Sequence, residues 1–135
     1  MEQQYKSLYL NVRDLMDKTS SERQDIESQL DSATKRFYAS DYHIGALVTL
    51  KTRSRLHKAL QRVLASLKRQ ECTDLTALHG LVNAYLKRLR KLATENYVTP
   101  GELRAHCKYY TECMHTVGSL SRWLAALNRR RLLKR

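Results

Sequence analysis

Helix-breaking residues are scarce in this chain: four glycines and one proline occur among its 135 residues. Strands and tight turns are usually bounded by Gly and Pro, whereas helix interiors are depleted in both. Leu, Ala, Lys, Arg and Gln fill the long stretches between these few breakers. The composition therefore predicts an all-α protein and excludes sandwiches, barrels and doubly wound sheets.

Long apolar runs and a paired set of cysteines are also missing. The apolar runs are only a few residues long, short of the ~20 needed to span a bilayer. The three cysteines form an odd set without the spacing of a small disulfide framework, and the residues that follow Met1 are polar. We therefore expect an intracellular protein, either cytoplasmic or nuclear.

Catalytic and metal-binding patterns are absent as well. The chain has no glycine-rich phosphate loop, no Gly-x-Ser-x-Gly turn and no His-Glu-x-x-His motif. No two of its His and Cys residues lie three or four positions apart, the spacing that lets one helix hold a zinc ion. The sequence therefore predicts a protein that is not an enzyme and that needs neither a metal nor another cofactor.

The length fits one domain, residues 1–135, built as a bundle of four to five helices. Residues 1–43 are expected to form a near-neutral helical hairpin, residues 44–128 a basic helical core, and residues 129–135 a basic tail. Within the hairpin, Ser20 or Ser21 is a candidate N-cap for a second helix, although both segments could also fuse into one rod.

The third and fifth helices are expected to be long. The third runs to about Gln70, and its apolar face changes direction between Val48 and Arg53. A fourth helix is expected to begin at Thr73. The fifth begins where Thr99 and Pro100 precede Glu102 in the order of a capping box.

Positive charge is concentrated in the C-terminal two thirds of the chain. The net charge is +12; residues 1–43 hold six Lys or Arg against eight Asp or Glu, and the remainder holds nineteen against five. A field of this sign attracts nucleic-acid phosphate, an acidic protein surface or an anionic lipid. A membrane surface is the least favoured of the three partners.

The charge follows a pattern on the third helix, where basic residues at offsets 0, 4, 7, 11 and 18 fall within about 60° of one another. No Asp or Glu occurs between residues 42 and 70. Such a stripe suits sequence-independent contact with RNA or DNA phosphates, although the solvated face of any basic bundle can look similar. The predicted nucleic-acid-binding residues are Lys51, Arg55, Lys58, Arg62 and Arg69, joined by Lys87, Arg88 and Lys91 and by Arg129, Arg130 and Arg131.

The alternative is an oligomeric scaffold or adaptor that docks to an acidic protein and forms a homo-oligomer. This alternative rests on apolar residues beyond those that one core would bury, because such residues often form dimer surfaces. The predicted interaction residues are Ile44, Leu47, Val48, Leu120, Trp123, Leu124 and Leu127.

Tyrosines are abundant, with eight against one Phe and one Trp. Tyr42, Tyr97, Tyr109 and Tyr110 lie near basic residues and could stack on bases. The competing interpretation, which we favour, is that most tyrosines border the core.

Overall fold

Four helices make up the computed structural model, which describes residues 2–40 and 42–133. They are α1 (Glu2–Tyr38), α2 (Ile44–Lys68), α3 (Thr76–Thr94) and α4 (Pro100–Leu133). The described residues contain no strand. The predicted all-α helical bundle is therefore confirmed, with four helices. None of these helices has both the length and the apolar character that crossing a membrane requires, as far as the described residues show.

Consecutive helices run antiparallel. On α1 and α2, Glu27 bonds to Ser54 while the earlier Arg23 bonds to the later Gln61, so the two helices run in opposite directions. Tyr85 of α3 meets His106 of α4 through a hydrogen bond of 2.7 Å. The short connections between helices force the same up-and-down order, since few residues can only join neighbouring ends.

The hairpin expected in residues 1–43 is wrong, because α1 is one helix of 37 residues. Ser20 and Ser21 lie exposed in its middle and cap nothing. Thr19 is buried, and its hydroxyl donates back to the carbonyl of Met16 at 3.2 Å, which keeps the residue compatible with a continuous helix. The absence of Gly and Pro in this segment leaves nothing to stop the helix, and an unbroken α1 packs along both α2 and α4.

The start of α4 agrees with the sequence prediction, whereas the start of α3 differs from it. The hydroxyl of Thr99 accepts a hydrogen bond from the amide of Glu102 at 3.1 Å, so the predicted start of α4 is confirmed. At the start of α3, the side chain that forms the hydrogen bonds is Asp74 instead of Thr73. The carboxylate of Asp74 accepts hydrogen bonds from the amide and the hydroxyl of Thr76. A carboxylate suits this position because it opposes the positive end of the helix dipole.

The main core joins all four helices. The helices α2, α3 and α4 contribute leucine-rich seams, and Val12 of α1 closes them on the fourth side. Tyr85 and Tyr110 are buried in the same cluster. For these two tyrosines, the favoured interpretation that tyrosines belong to the core is confirmed. The helix α4 passes Gly118 without a break, so its second half stays in register with this core.

Three helices end on a residue in the left-handed conformation, and none of the three is glycine. Ser40, Gln70 and Asn96 have φ values of 61°, 61° and 66°. After α2, the amide of Gln70 bonds to the carbonyl of Leu67 and that of Glu71 to the carbonyl of Ser66, the pair of bonds of a Schellman motif. These ends carry no glycine, although the predicted end of the third helix near Gln70 agrees with the end of α2 at Lys68.

Glycine at position 70 is expected to stabilise the protein, since Gln70 bears the cost of a Cβ atom at positive φ. Gln70→Gly should raise the free energy of unfolding by about 0.5–1 kcal/mol in urea denaturation. Gln24→Gly is the matched control, because Gln24 is exposed inside α1, where glycine costs about 1 kcal/mol. Destabilisation by both substitutions would contradict the left-handed helix end.

Candidate functional site

The predicted basic stripe lies on the outer face of α2. Lys51, Arg55 and Arg62 are exposed, and none of them has a carboxylate within salt-bridge distance among the described residues. Leu56, Leu60 and the other leucines of the opposite face are buried in the core. Thr52 and Ser54, which flank this stripe, are buried as well.

Two members of the predicted set are partly neutralised. The ammonium of Lys58 lies 3.8 Å from the carboxylate of Glu27 on α1. Arg69 follows the last residue of α2 and forms a paired contact with Glu71, with its nearest nitrogen 3.1 Å from a carboxylate oxygen. Exposed pairs of this kind are weak, so a phosphate can replace the carboxylate at small cost.

The basic residues of α3 are brought to the same side of the bundle. Lys87, Arg88 and Lys91 are exposed. Arg88 and Lys91 line a groove of about 260 Å³ together with Ile44 and other residues at the start of α2. Lys51 lies two helical turns beyond Ile44 on the same face, so the α2 stripe and this groove form one surface, which we call the α2–α3 basic surface.

The third predicted cluster lies at the other end of the bundle. Arg129, Arg130 and Arg131 are exposed on the last turns of α4, and the helix continues to Leu133. The remaining tail residues, 134 and 135, lie outside the described part of the chain. Asn128, next to this cluster, donates to the sulfur of Cys72 in the connection between α2 and α3. The cluster is thus separated from Arg88 and Lys91 by the length of the bundle.

The predicted apolar docking surface is wrong for three of its seven members. Leu120 and Leu124 are buried in the main core, where they join the leucines of α2 and α3. Leu47 is buried as well. Val48, Trp123 and Leu127 are half-buried, and of the seven predicted residues only Ile44 is exposed. The seven residues therefore form no continuous surface.

A buried polar cluster, absent from the sequence predictions, occupies the middle of the bundle. The Nε of Arg53 donates to the hydroxyl of Tyr110 at 3.0 Å, and Tyr110 lies 2.5 Å from the Nε2 of His57. The carboxylate of Glu22 on α1 lies 3.7 Å from Arg53. A further hydrogen bond joins Tyr85 to His106. One signal could have indicated this cluster: His57 is spaced with Leu60 and Leu64 as if it were a core residue.

His57 is neutral in this cluster. The hydroxyl of Tyr110 accepts from Arg53 and shares a second hydrogen bond with Nε2 of His57. Burial, and next the positive charge of Arg53, lower the pKa of His57 to about 4. Burial also lowers the pKa of His106. His57 has no solvent-exposed surface, so its role lies within the fold.

The tyrosines that were candidates for base stacking divide into two groups. Tyr110 is buried, and Tyr109 is half-buried in an edge-to-face contact with it. Tyr42 and Tyr97 instead line a cavity at the end of the bundle where α2 begins. This cavity could not be predicted from the sequence, because its lining comes from segments far apart in the chain.

Comparison with protein-family models, with curated proteins and with solved structures finds no match to this chain.

We expect stability to fall as the solution is acidified from pH 7 to pH 5. The pKa of His57 is about 4 in the fold against 6.5 in a model peptide, so the unfolded chain binds more protons between these values. The contribution is complete above pH 6.5 and is lost as the pH falls toward 4. We expect a decrease in unfolding free energy of about 2 kcal/mol from pH 7 to pH 5, measured by urea denaturation.

His57→Gln is the control for this pH dependence. Glutamine does not titrate, so the variant should lose stability at pH 7 yet show a flatter pH dependence, with His106 supplying what remains. An identical pH dependence in both proteins would show that His57 is not the responsible group.

Proposed function

We propose that this protein binds RNA or DNA through phosphate contacts, without base specificity in those contacts and without catalysis, as a single-domain packaging or assembly protein. The observation that carries the proposal is the α2–α3 basic surface. Its α2 stripe has three exposed cations, Lys51, Arg55 and Arg62, that lack carboxylate partners within the described residues, and Arg88 and Lys91 extend it. We expect the protein in the cytoplasm or the nucleus.

The dimensions of the surface support contact with a phosphate backbone. At 1.5 Å per residue, the stripe from Lys51 to Arg62 is roughly 16 Å long. One DNA strand presents a phosphate about every 3.4 Å of helix axis, so the stripe spans several phosphates. Neutralising them releases counterions, which makes affinity fall steeply with salt. Lys58 and Arg69 would add weaker contacts because each already has a carboxylate nearby.

A second candidate function is docking of an acidic protein on the same surface. The observation in its favour is Ile44, which is 58% exposed beside Arg88 and Lys91. An apolar anchor surrounded by charge is typical of protein interfaces, whereas a phosphate backbone gains little from it. Polyglutamate of matched charge distinguishes the two functions when it competes with an oligonucleotide for the protein.

Reversing two charges of the stripe tests the proposal. Lys51→Glu with Arg55→Glu should weaken binding to a short duplex at least about tenfold and reduce the log–log salt slope by about 2, because two phosphate contacts are lost. Fluorescence anisotropy across a salt series measures both quantities.

The matched control is Arg104→Glu with Lys108→Glu. These two residues are also exposed and four positions apart, on α4, which packs mainly against α1 and α3 and lies diagonally across from α2. The net charge changes equally, so only long-range attraction is lost, and we expect a loss below about threefold. Equal losses in the two double variants would contradict a defined α2–α3 site.

A further inference from the structure

A cavity opens at the end of the bundle where α2 begins and α3 ends. It encloses about 520 Å³, and all four helices and the connection 95–99 contribute to its lining. Ligand sites in proteins measure roughly 300–1,000 Å³ and are mostly apolar with a few polar groups. Here Leu50, Leu89 and Leu92 supply apolar lining. The cavity therefore has the size of a site for one small organic group, and its lining is about as polar as it is apolar.

Two flat pairs of side chains stand in the lining of this cavity. The ring of Tyr97 stacks on that of His43, with centroids 4.2 Å apart and planes 26° apart. The guanidinium of Arg36 lies 5.1 Å from the ring centroid of Tyr42. Aromatic rings and guanidinium planes are the surfaces on which unpaired bases stack. The shape thus favours a planar ring over a branched aliphatic group.

Polar groups around the cavity match the edge of a base. Gln29 and Glu102 are exposed residues of the lining, and an amide and a carboxylate are the groups that bond to ring nitrogens and exocyclic amines. Arg53 is also part of the lining; its contacts with Tyr110 and Glu22 hold the guanidinium in place and balance part of its charge.

The cavity adjoins the groove of the α2–α3 basic surface. His43, Thr49 and Leu92 line both, so the two spaces share a wall. Arg88 and Lys91 stand on the groove side of that wall. A base held in the cavity would bring its flanking phosphates toward these two cations. The groove is also lined by one carboxylate, Glu95, which lies 3.8 Å from His43. The two cations outnumber it, so the charge arrangement favours a nucleotide over a neutral aromatic molecule.

We propose that the cavity takes one unpaired base of a single-stranded RNA or DNA whose flanking phosphates lie on Arg88 and Lys91. The inference rests on the proposed function and adds to it that the protein binds an unpaired base as well as the phosphates on either side of it. Stacking on aromatic side chains is tolerant of base identity, so the site discriminates unpaired from paired nucleotides more than one base from another.

The test compares two fluorescent single strands of equal length at moderate salt, an oligoadenylate and an abasic strand with the same phosphates. Base–aromatic stacking corresponds to at least about a fivefold gain in affinity, so oligoadenylate should bind at least that much more tightly. Tyr97→Ala should remove most of this preference, and Tyr97→Phe should retain it because the ring is kept. Tyr97 is 56% exposed, so its loss should leave the fold intact, as circular dichroism can verify.

Tyr38→Ala is the control, since Tyr38 is 81% exposed and is not part of the cavity lining. It should leave the preference unchanged. Equal binding of both strands by the unaltered protein would overturn the base site and leave the phosphate proposal standing. A preference that survives Tyr97→Ala would overturn the cavity as its source. Binding of neither strand would overturn the proposed function, and the base site with it.

Discussion

The hydrogen bond from Arg53 to Tyr110 is the contact around which the four helices are arranged. A guanidinium is costly to bury unless its charge and its donors are satisfied, and here α1 supplies the carboxylate of Glu22 while α4 supplies the phenol. The same hydroxyl is also hydrogen-bonded to Nε2 of His57. Sliding one helix by a single turn would separate these partners. The polar cluster therefore sets the register that the leucine seams alone leave open.

Charge segregation between α1 and α2 follows from this register. Glu22 and Glu27 of α1 lie against the flank of α2, near Arg53 and Lys58. Glu27 reaches one residue of the basic stripe, Lys58, whereas Lys51, Arg55 and Arg62 have no carboxylate within salt-bridge distance among the described residues. The acidic residues of α1 thus partly neutralise Arg53 and Lys58 and leave the other three cations of the stripe unbalanced. The excess of positive charge is for this reason concentrated on one surface of the bundle.

The helical class could be predicted from the sequence, because scarcity of Gly and Pro is a property of composition. The start of α4 was predictable too, since the contact between Thr99 and Glu102 is local. The continuity of α1 was only one of two alternatives, because the capping tendency of Ser20 competes with packing against distant helices. The cavity could not be predicted, since its lining comes from separate segments, and Leu120 is buried by residues of other helices.

One stripe of α1 explains where the core ends and the cavity begins. Leu15, Glu22, Gln29 and Arg36 are spaced by seven residues and therefore lie near one line along the helix. Leu15 packs against the apolar core, Glu22 joins the buried polar cluster, and Gln29 and Arg36 line the cavity. Gln29 and Arg36 are exposed, because their polar ends favour solvent over a closed apolar core. The same periodicity that builds a core at one end of α1 thus places polar side chains around an open recess at the other.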